Sequence, residues 1–205
     1  MELTPTQRDS LTELINIGYG CAASALSELT GNRITLDVPR ISMHPIEEVG
    51  PLLSREVAGE VACVNQVFSG AVSGNALLMM DEKSALILSR LLSADDSLLD
   101  TFDAGPRETI TEVGNILLNA CLSVFGNLLK VPVVFAVPQL QVAGIDRILK
   151  GMTVGSEELH YGLMIHMRFQ VLASNVSGYL IIILGIKSLG RLLHEVDKWE
   201  MQQLL

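Results

Sequence analysis

Basic side chains are scarce in this 205-residue chain, with 14 Lys and Arg against 23 Asp and Glu. Nonspecific nucleic-acid binding needs Lys and Arg to displace counterions from phosphates, so this balance argues against that class. Long apolar runs are also missing. The stretch from Tyr179 to Ile186 falls far short of the roughly 20 residues that span a bilayer. No signal-peptide pattern stands at the start, so a cytoplasmic protein without membrane insertion is expected. Cysteine is rare and odd in number: Cys21, Cys63 and Cys121 form no CxxC spacing and read as reduced packing residues. His44, His160, His166 and His194 lack HxxxH or HExxH spacing, which speaks against a metal site. Ser24 and Ser123 lie in no GxSxG elbow, and no Gly-Lys-Ser/Thr follows the glycine-containing stretches Gly18-Tyr19-Gly20 and Ser73-Gly74-Asn75.

What the chain does hold is one pattern, twice. Asp9-x₃-Glu13-x₂-Asn16 is followed after twenty-two residues by Pro39; Glu108-x₃-Glu112-x₂-Asn115 is followed after the same gap by Pro138. A Glu-x₂-Asn-x₂₂-Pro match arises by chance at on the order of one in ten thousand start positions. Two in matching halves carry a signal that one would not. At about 100° per residue, Asp9, Glu13, Asn16 and Gly20 fall within an arc of roughly 60° on a helix. Leu11, Leu14, Ile15, Gly18, Ala22, Ala25, Leu26 and Leu29 form the opposite, apolar stripe. In the second copy the stripe is Ile110, Val113, Leu117, Cys121, Val124, Phe125 and Leu128, with Glu112 and Asn115 facing away. Asparagine in mid-helix costs a few tenths of a kcal/mol relative to alanine, so two such cases invite a functional reason.

The rest of the chain follows the same duplication. Thr4-Pro5 starts the first helix, which stops at Gly31-Asn32. Ile34 to Met43 reads as a strand in which Pro39 demands an edge or a bulge. His44 to Arg55 reads as a loop. Val57 to Phe68 and Ala71 to Met80 read as a hairpin, and Ser84 to Leu92 as a short helix. Ser93 to Gly105 is polar and acidic and reads as a connector. Pro106 opens the second long helix, and Val133 to Val142 matches the first strand. Leu159 to Leu172 and Val176 to Leu184 form a second hairpin, in which Ser177-Gly178 matches Ser73-Gly74. This places five extra residues near Gly151 to Glu158. A closing helix carries Leu189, Leu192, Leu193, Val196 and Trp199 and reads as cover for the sheet. The expectation is one α+β domain over 1–205, with internal repeats 1–98 and 99–205. About six strands form a shared antiparallel sheet, two long amphipathic helices pack on it, and pseudo-twofold symmetry gives two sites.

The doubled pattern resembles the signature of the CheC/CheX/FliY family, phosphatases of the phosphorylated chemotaxis response regulator CheY, over nearly the whole chain. That signature has Asp or Ser, then Glu, Asn and Pro at these spacings. Asp9 fits its first position, and Glu108 departs from it. The resemblance implies that Glu13 and Glu112 dock against the regulator's lysine while Asn16 and Asn115 orient the attacking water. It implies that Mg²⁺ belongs to the regulator and that the chain needs no cofactor of its own. Asp9, Gly20, Glu108 and Asn119 lie on the same faces and are candidates for partner contact. Gly20 would permit close approach. Asn119 takes that place in the second copy, so the two sites are expected to differ. Two rivals stand beside this reading. A regulatory binding module would act through a CheD-like receptor deamidase. A flagellar-switch component of the FliY type ranks lower, because no further switch domain follows.

Overall fold

The computed structural model describes residues 2–92, 101–128, 130, 132–152, 160–171 and 174–203. The five-residue insertion expected near Gly151 to Glu158, and most of the connector from Ser93, lie outside the described residues.

The first long helix, α1 (Pro5–Thr30), begins as its sequence dictates. The Thr4 hydroxyl accepts from the Gln7 backbone N–H at 3.1 Å, and the Gln7 side chain accepts from the Thr4 N–H at 3.2 Å. This capping box satisfies two of the N–H groups that a helix start leaves open. Gly31 ends the helix in the left-handed region at φ 66°, which glycine adopts without steric cost. Two short strands follow, β1 (Ile34–Leu36) and β2 (Arg40–Pro45). Then come helix α2 (Ile46–Glu56), hairpin β3 (Glu60–Gly70) and β4 (Gly74–Asp81), and α3 (Glu82–Leu92). The same order then recurs: α4 (Ala104–Leu128), β5 (Val133–Phe135), β6 (Gln139–Gly144), α5 (Ile145–Lys150), β7 (His160–Val171), β8 (Ser174–Gly185) and α6 (Ile186–Gln203).

The eight strands among the described residues form one antiparallel sheet in the order β1-β7-β8-β4-β3-β5, with β2 extending β1 along β7 and β6 extending β5 along β3. The two hairpins meet at the centre, where β4 pairs with β8 from Gly74↔Leu184 to Met79↔Tyr179. The outer strands are exchanged: β1 and β2 pair with β7 of the other half, and β5 and β6 with β3. The edge pairing also fixes which residues correspond. Arg40 pairs with His166 and Gln139 pairs with Asn65. His166 therefore stands where Asn65 does, and Met167 where Gln66 does. At the hairpins Phe68 pairs with Gly74 and Phe169 with Val176. Val176, rather than Gly178, is thus the counterpart of Gly74, which shifts the hairpin match expected from Ser-Gly by two residues.

One face of the sheet carries the main core. Leu11, Leu14, Ile15, Tyr19, Ala22 and Leu26 of α1 and Ile110, Val113, Leu117 and Cys121 of α4 bury there, with α3 and α6 beside them. The other face carries a smaller core under α2 and α5, built on Val49, Leu53, Cys63, Met79, Ile148 and Ile181. Alternation along each strand separates the two sets. Over Ala104–Asn127, α4 has the length and hydropathy of a membrane span by composition, yet half of that window is buried within the fold.

Several expectations change. His44 to Arg55 is not a loop: Pro45 precedes α2, and Ile46, Val49, Gly50 and Leu53 recur at helical spacing under its buried face. The six expected strands become eight because Pro39 and Pro138 each interrupt an edge strand, where a missing N–H donor costs least. Ala25 and Leu29 do not join the α1 stripe; Leu29 is 61% exposed, and Tyr19 is buried instead. Cys21 is exposed, whereas Cys63 and Cys121 are buried. Burial pushes the Cys63 thiol up to about 12 and raises Cys121 as well, so neither is an activated nucleophile. The closing helix is cover, as expected: Leu189, Leu192, Leu193 and Val196 are buried and Trp199 packs beside them. The Gln7 amide nitrogen also donates to Asp197 at 3.0 Å, tying α6 to the start of α1.

Tyr19 carries an unusual burden. Its ring is among the largest fully buried side chains, and its hydroxyl has no partner among the described residues. An unpartnered buried hydroxyl costs about 1–3 kcal/mol. Tyr19→Phe is therefore expected to raise stability by about 1 kcal/mol, read as a higher urea midpoint at unchanged slope.

Candidate functional site

On α1 the geometry follows from the stripe. Because Leu11, Leu14, Ile15 and Gly18 are turned into the core, Asp9, Glu13, Asn16 and Gly20 are all exposed. Glu13 and Asn16 stand one turn apart on a rigid helix. Neither side chain has a hydrogen bond or ion pair among the described residues, so both are available to a partner. Thr12, between them in sequence, spends its hydroxyl on the Arg8 carbonyl at 2.7 Å. A Cβ built at Gly20 meets nothing within 4 Å, so nothing inside this chain requires glycine there. Gly20→Ala is expected to stabilise the chain by up to about 1 kcal/mol through helix propensity alone, measured by denaturant titration.

On α4 the same residue types recur, but the setting differs. Glu108 and Glu112 are exposed, and Thr111 bonds the Arg107 carbonyl at 2.7 Å, as Thr12 does on α1. Asn115 and Asn119, however, are half-buried and joined: Asn119 Nδ2 donates to Asn115 Oδ1 at 2.7 Å. Asn119 Oδ1 in turn accepts from Gln66 Nε2 at 3.0 Å, and the same nitrogen donates to the Ala136 carbonyl at 3.1 Å. That carbonyl lies in the interruption before Pro138, where the Ala136 N–H still reaches the Val67 carbonyl at 2.9 Å. The α4 face is thus tied to a strand and to its neighbouring edge, while the α1 face stands free. Gln66 was not singled out from the sequence. A signal existed: Ala62, Val64 and Phe68 share its face of β3 and all point into the main core, so a glutamine among them breaks the apolar alternation.

Among the described residues no three His, Cys, Asp or Glu side chains gather as a metal site would require. A small cleft of about 80 Å³ opens elsewhere, on the face of the sheet away from α1 and α4, lined by Asp37, Val38, Arg40, His166 and Arg168. Arg168 pairs with Asp37 at 3.7 Å. Burial, then the charges of Arg168 and Arg40, hold His166 below its ordinary value of 6.5, with Glu56 and Asp37 opposing. A histidine with a lowered folded pKa takes up its proton more readily when unfolded. Its contribution to stability is therefore full above pH 6.5 and is lost as pH falls from there through the folded value. His166→Asn, the residue found at the matching place on β3, is expected to flatten the fall in thermal midpoint between about pH 7 and pH 5.

No family model matches the chain. Individual relatives do. The flagellar motor switch phosphatase FliY of Bacillus subtilis is 24% identical over 156 residues, 72% of this chain and 40% of that one. CheC1 of Halobacterium salinarum, whose name assigns it as a CheY-P phosphatase, is 25% identical over 134 residues, 64% of this chain and 66% of that one. The crystal structure of Thermotoga maritima FliY superposes with a TM-score of 0.76, covering 97% of this chain and 100% of that chain at 17% identity. The chain has the fold of Thermotoga maritima FliY and is similar in sequence to FliY and CheC1. The chain spans 40% of one curated relative and about two thirds of the other. FliY and CheC1 are matched to similar degrees in sequence, at 24% and 25% identity.

Proposed function

We propose that the chain hydrolyses the aspartyl phosphate of a CheY-like response regulator in cytoplasmic chemotaxis signalling. The observation that carries this reading is the Glu/Asn pair displayed one turn apart on each of two rigid helices, Glu13 with Asn16 and Glu112 with Asn115. An asparagine cannot serve as a general base or a nucleophile near neutral pH, but its carboxamide can hold a water in line with a breaking bond. Phosphoryl transfer through a loose transition state profits more from such positioning than from a strong base. The glutamates would dock each helix against the regulator's lysine. The Mg²⁺ at the phosphorylated aspartate is the partner's own, so the chain contributes side chains alone. The two repeats, 1–98 and 99–205, would act as one domain with two faces, and Asp9, Gly20 and Glu108 would border the contact. The names borne by FliY and CheC1 support the reaction class.

The experiment is the decay of a radiolabelled phosphorylated CheY-like regulator with and without the chain. Phosphate loss accelerated at substoichiometric amounts of the chain is the expected result. No acceleration with any CheY-like regulator of the same cell would overturn the reading, and would move the binding module acting through a CheD-like deamidase to first place.

A further inference from the structure

We infer that Gln66 and Asn119 are positioning residues for the α4 face, fixing the orientation of the Asn115 carboxamide; this rests on the phosphatase reading above. Carboxamide oxygen and nitrogen are told apart by what they face. Here the chain of bonds begins at a group with no ambiguity. The Ala136 carbonyl can only accept, so the Gln66 atom 3.1 Å from it is the amide nitrogen. That nitrogen also lies 3.0 Å from Asn119, which must therefore turn its oxygen toward Gln66. Asn119 is left with its amide nitrogen facing Asn115, and Asn115 must meet it with its oxygen, at 2.7 Å. One backbone carbonyl thus dictates the orientation of three side chains. Flipping Asn115 alone would set an N–H against an N–H. The Asn115 oxygen keeps a second lone pair for a water, and its amide nitrogen is turned the other way.

The α1 face has no such device. The place of Asn119 is taken by Gly20, and the edge register puts Met167, buried and apolar, where Gln66 stands. Asn16 has no intramolecular hydrogen bond among the described residues and must be oriented by the partner itself. On the α4 side the pair Gln66/Asn119 reaches the asparagine, whereas at the matching places on the α1 side Met167 offers no carboxamide and Gly20 no side chain. The Gln66 carbonyl oxygen is buried and without a partner among the described residues, a cost the fold bears while the nitrogen makes both bonds.

The test isolates each face. In an Asn16→Ala background only the α4 face can act; in an Asn115→Ala background only the α1 face can. Gln66→Met and Asn119→Ala are each introduced into both, and regulator dephosphorylation is followed against regulator concentration. In the first background the maximal rate is expected to fall about tenfold, the equivalent of one well-placed hydrogen bond, and for Gln66→Met, at a buried position, the half-saturating concentration stays unchanged. In the second background neither constant should move. The side-chain amide resonances of Asn115 should shift with Gln66→Met although the two residues are not directly bonded. Equal losses in both backgrounds would mean a merely structural role and overturn the inference. Unchanged rates in the first background, or an unmoved Asn115 resonance, would overturn it too, as would an Asn16→Ala parent with no activity. Those outcomes leave the phosphatase reading standing. A wild-type chain without any activity removes both.

Discussion

Asn16→Ala combined with Asn115→Ala is expected to return the decay of the phosphorylated regulator to the regulator's own rate, a loss on the order of 10²-fold from the wild-type acceleration. Each single variant should keep the contribution of the intact face. The loss cannot come from unfolding. Asn16 is exposed, Asn115 is half-buried, and alanine in either helix gains a few tenths of a kcal/mol in propensity. For Asn115→Ala that gain is offset by the lost bond from Asn119, so its thermal midpoint should stay near the parent's, while that of Asn16→Ala should rise slightly. If one single variant alone abolishes the acceleration, the other face only docks, and the departure at Glu108 from the family's Asp or Ser becomes the first place to look.

The second large effect concerns how the two faces are held relative to each other. α1 and α4 pack side by side on the sheet, and they approach closely at Gly18. A Cβ built at Gly18 lies 2.9 Å from the Cα of Cys121 and 3.4 Å from the Ala120 carbonyl oxygen. These are backbone atoms of a helix, which cannot swing aside as a side-chain tip would. Gly18→Leu, copying the residue at the matching place on α4, Leu117, would force the helices apart and open the core between Leu14, Ala22 and Leu117. Overpacking of this kind costs about 3 kcal/mol. In a chain of this size that corresponds to a fall of roughly 10 °C in thermal midpoint. The contrast with Gly20, two residues along the same helix, is the sharper check. Alanine at Gly20 should stabilise, because its Cβ would enter open space. Destabilisation at both glycines alike would mean that the helices are not packed as described.

The parts of this fold that the sequence made legible are those decided locally. The long helices announce themselves through stripes such as Leu11, Leu14, Ile15 and Gly18, and the exposure of Glu13, Asn16 and Glu112 follows directly from those stripes. Pro39 and Pro138 forecast the edge position of their strands, though not the break in each, because a proline lacks the N–H that a central strand must donate. What stayed hidden depends on partners distant in sequence. Gly50 and Pro51 disguise α2, whose helical state is fixed by burying Val49 and Leu53 against the far face of the sheet. The exchange of β1 and β2 onto β7 is a long-range pairing that no local pattern encodes. Leu29 fits the helical period yet lies past the reach of the core, whose last α1 contact is Leu26. At the site, Asn115 and Asn16 look alike in sequence. Their difference comes from Gln66, nearly fifty residues before Asn115, and from a carbonyl beside Pro138.

The most direct test of the central claim compares two substrates for the same purified chain: a phosphorylated CheY-like regulator and acetyl phosphate, a small acyl phosphate with the same bond to be broken. A mechanism in which Glu13/Asn16 and Glu112/Asn115 complete a partner's site requires rapid hydrolysis of the first and none of the second above the spontaneous rate. Hydrolysis of acetyl phosphate by the chain alone, surviving the Asn16→Ala/Asn115→Ala double variant, would contradict it and would mean that the catalytic groups lie elsewhere.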